Sequence, residues 1–139
     1  MGLIKITETP YWIVELNSDQ AYLGRCYISL KRPCGDLAEL GEDEILDFLN
    51  LVKAMENSLK KSFGAIMFNV GCLMNNAYKS ENPRPQVHWH FIPRYNHAVE
   101  VGGTEFKDAE FAHHYNNNRH FNTGPEVLNK IAEEIRRNL

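Results

Sequence analysis

The sequence has little excess charge, few cysteines and no long apolar run. Its 15 lysines and arginines against 18 aspartates and glutamates leave a net charge of −3, so nothing overall drives the chain onto nucleic acid or an acidic membrane. A polyanionic ligand would have to be met by a local site. The three cysteines, Cys26, Cys34 and Cys72, are odd in number and show no C-x-x-C spacing, which argues against a zinc or thioredoxin-like motif and for free thiols in a reducing compartment. No stretch approaches the ~20 apolar residues of a membrane span. The opening Met-Gly-Leu-Ile-Lys-Ile-Thr-Glu lacks a secretory hydrophobic region, so the cytoplasm is the expected location and no membrane partner is expected. There is no repeat, linker or low-complexity tract, and 139 residues suit a single domain over 1–139. What is present is core material: 43% hydrophobic residues, including 7 Phe, 6 Tyr and 2 Trp, excludes intrinsic disorder.

Two β-branched and aromatic runs open the chain, residues 11–16 and 25–30, each read as a strand ending in turn-forming residues. Ile45, Phe48, Leu49, Val52, Met55 and Leu59 recur at helical spacing, with acids at one end and Lys60, Lys61 and Gly64 at the other. This predicts a helix over 42–62 whose apolar stripe packs on the core. Residues 65–73 and 86–92 read as further strands, 94–122 as mostly irregular chain. Thr123-Gly-Pro-Glu126 has capping-box spacing before a C-terminal helix striped with Val127, Leu128, Ile131, Ile135 and Leu139.

The chemistry concentrates in Gln86-Val-His88-Trp-His90-Phe-Ile-Pro-Arg94. Strand alternation sends Val87, Trp89 and Phe91 to one face and Gln86, His88 and His90 to the other, with same-face neighbours ~6.5 to 7 Å apart. Two imidazoles so placed could address one phosphate, hold a metal, or be incidental polar residues. A metal would need further ligands, for which His97, His113, His114 and His120 are the available histidines.

This segment resembles the signature of the histidine-triad (HIT) family of nucleotide hydrolases and transferases, His-φ-His-φ-His-φ-φ with φ apolar, and the order of elements over residues 11–95 is similar to the family's. Residues 104–115 are similar to a segment seen after the triad in a bacterial branch. The resemblance implies an α+β fold, with an antiparallel sheet of about five strands, the long helix on one face, the triad on the other and a C-terminal helix. It implies a homodimer, in which residues 94–122 help complete or cover a neighbouring site. It implies that His88 attacks an α-phosphorus to form a covalent nucleotidyl-histidine, while His90 bonds phosphate oxygens. The substrate would be a dinucleoside polyphosphate, a nucleoside phosphoramidate or an adenylylated compound. No cofactor is implied beyond a divalent cation accompanying a polyphosphate. Gln86 stands where the family has its first histidine and keeps the backbone carbonyl that orients the nucleophile. By the same resemblance Asn17 matches a ribose contact, Asn75 a phosphate contact, and Arg25 a position near the active site from which a guanidinium could meet phosphate. Pro83 occupies the place of the family's Ser or Thr, leaving Ser80, Asn82 and Arg84 as candidates on the leaving-group side. A nucleotide-binding protein without turnover is the alternative, and a histidine-metal protein the third reading.

Overall fold

The computed structural model describes residues 3–139. Its elements are β1 (Ile4–Glu8), β2 (Trp12–Leu16), β3 (Cys26–Leu30), α1 (Glu42–Phe63), β4 (Met67–Gly71), β5 (His88–Arg94), β6 (Val99–Val101), β7 (Thr104–Phe106) and α2 (Pro125–Arg137). The main sheet is antiparallel and five-stranded in the order β1-β2-β3-β5-β4, while β6 and β7 form a separate hairpin. This is the α+β architecture expected. β1 was not anticipated, because Lys5 and Thr7 interrupt its short apolar pattern. Nor was the β6–β7 hairpin, whose three-residue strands fall below any readable period.

Alternation along β2 and β3 buries Trp12, Val14, Leu16, Cys26, Ile28 and Leu30 on the face that receives α1. The helix turns Leu51, Met55, Leu59 and Phe63 into this core, and Phe48 stacks on Trp89 at 4.4 Å between ring centroids. Ile45 and Leu49, expected on the buried stripe, are instead 44% and 46% exposed. The first turn sets the rotation. Buried Glu44 accepts from Arg32 Nε (2.7 Å) and Nη2 (2.9 Å) and from the Gly41 amide (2.8 Å), while its carbonyl accepts from Trp12 Nε1 (2.9 Å). With ~100° between successive residues, a helix that buries position 44 turns 45 away. The ion pair with Arg32 holds the Glu44 carboxyl down at about 2.

α2 buries Leu128, Ile131 and Ile135 but leaves Leu139 exposed, and Ser58 Oγ donates to the Ile135 carbonyl at 2.6 Å to join the two helices. Gly124, not Thr123, is its N-cap. Thr123 Oγ1 bonds the Gly124 carbonyl, and Pro125 follows in the first turn, where a missing N–H leaves no donor unsatisfied, so the expected capping box does not form.

Two local features position the site. Gly24, at φ +84°, turns the chain into β3, and a Cβ there would lie 2.5 Å from Leu59 Cδ2, so glycine is required on both counts. Pro93 lies inside β5, beyond the strand end expected at Ile92. Pairing with β3 stops at Phe91, so Pro93 is flanked by β4 alone and its lack of an N–H breaks no ladder.

Candidate active site

The face of the sheet opposite α1 carries a cleft of about 600 Å³. Its floor comes from alternate residues of three strands. Ser29 is opposite His88 and Tyr27 opposite His90, while Glu15 lies opposite Tyr27 on the far side. The His88 and His90 rings meet edge-on at 5.3 Å between centroids, and Tyr27 lies edge-on to both, at 6.0 and 5.3 Å. One wall is the short 3-10 helix Asn75–Lys79; Tyr115 and Asn117 close another side.

The state of His88 follows from one hydrogen bond. Its Nδ1 is 2.7 Å from the Gln86 carbonyl, which can only accept, so Nδ1 carries a proton and in the neutral ring the lone pair is on Nε2. His90 is held neutral. Burial first, then the electrostatic influence of neighbouring His88 and of the Arg25 guanidinium, push it from 6.5 down to about 4. Its Nδ1 is buried without a hydrogen-bond partner, as is Nε of Arg25. The Arg25 side chain is 11% exposed and approaches Asp19 at 4.0 Å, its cationic head beside the paired imidazoles. The arrangement is an imidazole whose Nε2 faces no partner among the described residues, a second imidazole held neutral and a guanidinium on one wall, suited to an anion that gains charge as it reacts.

Gln86, His88, His90, Arg25 and Asn75 thus gather around one cleft. The Gln86 side chain, however, is committed to backbone. Its Oε1 accepts from the Cys34 amide (3.1 Å) and its Nε2 donates to the carbonyls of Leu30 (2.9 Å) and Arg32 (2.8 Å). What Gln86 offers His88 is its carbonyl. Asn17 is not brought to the cleft: it is buried, and its Oδ1 accepts from the Asp19 amide at 3.0 Å in a turn. Of the 79–85 loop, Lys79 lines the cleft and Ser80, Asn82 and Arg84 do not.

Tyr27, Ser29 and Glu15 were missed, although alternation against buried Cys26, Ile28, Val14 and Leu16 places them on the cleft face. Tyr115 and Asn117 gave no local signal. They belong to a segment fixed by fully buried Arg94, which bonds Asp108 (2.6 and 3.0 Å), Asn69 (2.8 Å) and the carbonyls of Glu110 (2.7 Å) and His113 (2.5 Å). Farther on, Asp19 accepts from His120 Nδ1 (2.7 Å) and from the Phe121 amide (3.0 Å). This segment therefore lines the cleft of its own chain. Among the described residues no three His, Cys, Asp or Glu side chains gather as a metal site, and His97 bonds the Gly64 carbonyl away from the triad strand.

No family model matches the sequence, and no curated protein matches it. Solved structures do. A histidine triad (HIT) protein from Sinorhizobium meliloti superposes with a TM-score of 0.76 at 21% identity over 99% of this chain and 90% of that one. A histidine triad protein from Bradyrhizobium japonicum gives 0.72 at 18% over 98% and 90%. A hypothetical histidine triad nucleotide-binding protein from Sulfolobus tokodaii gives 0.66 at 14% over 99% and 84%. Superposed over 98–99% of its length on these structures, this protein has the histidine-triad fold.

Proposed function

We infer that the protein is a nucleotide hydrolase or nucleotidyl transferase acting at an α-phosphate. The observation that carries this reading is the His88 Nδ1–H bond to the Gln86 carbonyl, which leaves Nε2 as a free nucleophile beside neutral His90 and Arg25. In the first step Nε2 attacks phosphorus. A P–N bond forms as the bond to the leaving group breaks, and the electron pair departs on the leaving atom. Water or another acceptor then attacks the same phosphorus and gives its proton to solvent, while the P–N bond breaks and its electron pair returns to Nε2. His90 and Arg25 hold the equatorial oxygens through both steps, and Asn75 and Lys79 take the phosphates beyond.

Substrates of this kind are dinucleoside polyphosphates, nucleoside phosphoramidates and adenylylated compounds. The Sulfolobus neighbour's description as nucleotide-binding supports the ligand class. Nucleotide binding without turnover is the second reading, favoured by Gln86, whose side chain brings no titratable group to the cleft. Screening a panel of such compounds for turnover separates the two. Release of nucleoside monophosphate from any of them supports the enzyme; binding of several with release from none supports the binding protein. A homodimer is part of the proposal. β4 is an edge strand carrying exposed Val70, flanked by exposed Ile66 and Leu73, and unpaired edges of this kind call for cover.

A further inference from the structure

Glu15 is the one acidic residue among those lining the cleft, whose other charged members are cationic or imidazole. Buried Val14 and Leu16 on either side fix its direction, away from the core and into the opening. Lys5, directly opposite on β1, is bonded to Glu8 at 2.7 Å, and among the described residues no donor reaches the Glu15 carboxylate. A carboxylate only accepts hydrogen bonds, and beside a bound phosphate it would repel. Its place in an anion cleft makes sense when it meets donors on a different part of the same ligand.

The sheet register says which part. Glu15, Tyr27 and His90 lie in one row across β2, β3 and β5, so Glu15 is two strand spacings, roughly 10 Å, from the imidazole pair. That span passes the sugar of a nucleotide whose α-phosphorus is at His88 and reaches its base. Between them the Tyr27 ring, with Leu3 at the cleft edge, supplies the aromatic and apolar surface that a flat base packs on. Guanine is the one common base with two adjacent donors on its edge, N1–H and the N2 amino group, which match the two oxygens of a carboxylate. We propose that Glu15 makes the cleft selective for guanine by accepting this donor pair.

The inference rests on the nucleotide reading, and its test keeps the two apart. Calorimetric affinities of GMP, IMP, AMP and dGMP are measured for the wild type, Glu15→Gln and Glu15→Ala. The wild type should bind GMP about ten- to a hundredfold more tightly than AMP, with IMP between them because it lacks one donor. Glu15→Ala should erase the preference. Glu15→Gln should reverse it, since a carboxamide donates to adenine N1 and accepts from its N6 amino group. A purely structural Glu15 would give no reversal. Equal affinity for GMP and AMP in the wild type, or a GMP preference that survives Glu15→Ala, overturns the proposal. So does a Glu15→Ala loss that is equal for GMP and AMP and absent for dGMP, which would assign Glu15 to the sugar. Failure of every nucleotide to bind removes the nucleotide reading itself.

Discussion

The Arg94 and Asp108 side chains are 0% and 2% exposed, and replacing Asp108 by Asn tests what they hold together. The substitution keeps the shape, so no cavity forms. It removes the negative charge and turns one acceptor facing the guanidinium into a donor. Arg94 retains Asn69 Oδ1 and two carbonyls, but none of them carries charge. Leaving one member of a buried pair uncompensated costs about 3 to 5 kcal/mol. With an unfolding entropy near 2.1 cal/mol/K per residue, a chain of this length melts with about 0.3 kcal/mol/K, so Tm should fall by about 10 to 17 °C. Thermal denaturation by circular dichroism reads the shift. Limited proteolysis should then cut first between residues 107 and 115, and cleft affinity for nucleotide should weaken as Tyr115 and Asn117 loosen. The double variant Arg94→Met, Asp108→Leu should recover most of the lost stability, because it removes both charges. A Tm drop below about 3 °C, or a double variant as unstable as the single one, would refute the reasoning.

Gln86→His should leave kcat/KM within about tenfold, ~1.4 kcal/mol of barrier, because the carbonyl that orients His88 persists. It should cost about 1 to 3 kcal/mol of stability as the amide's backbone partners lose their bonds, read by urea denaturation; a gain of several orders of magnitude in rate would mean the natural site is degraded. His90 titrates at about 4 in the fold against 6.5 outside it, so its contribution to stability is complete above pH 6.5 and is lost as pH falls from there to 4. The stability profile over this range should be flatter in His90→Gln, and identical slopes would contradict the shift. Sedimentation should report twice the 16.0 kDa chain mass, and a monomer at micromolar concentration would remove the dimer from the proposal.

Legibility in the sequence followed the range of the forces involved. α1, β2, β3 and β5 carry their periods in their own residues, and each was found within two or three positions. The rotation of α1 was not, because it is fixed by Arg32 and Trp12 gripping Glu44 from other elements. Likewise the cleft's histidines announced themselves through strand alternation and the triad resemblance, whereas Tyr115 and Asn117 depend on a buried ion pair between residues 94 and 108. Asn17, matched by position to a ribose contact, stands in an Asn-Ser-Asp turn before buried Gln20, where its Oδ1 accepts from the Asp19 amide.

The central claim is that His88 forms a covalent bond to phosphorus, and rapid acid-free quenching during turnover tests it most directly. The trapped species should be a nucleoside monophosphate attached to His88, labile in acid and relatively stable in base as a phosphoramidate is. It should be absent in His88→Ala and form ~10² to 10³ times more slowly in His90→Ala. Undiminished turnover by His88→Ala would rule out a bond from His88 to phosphorus as a step of the reaction.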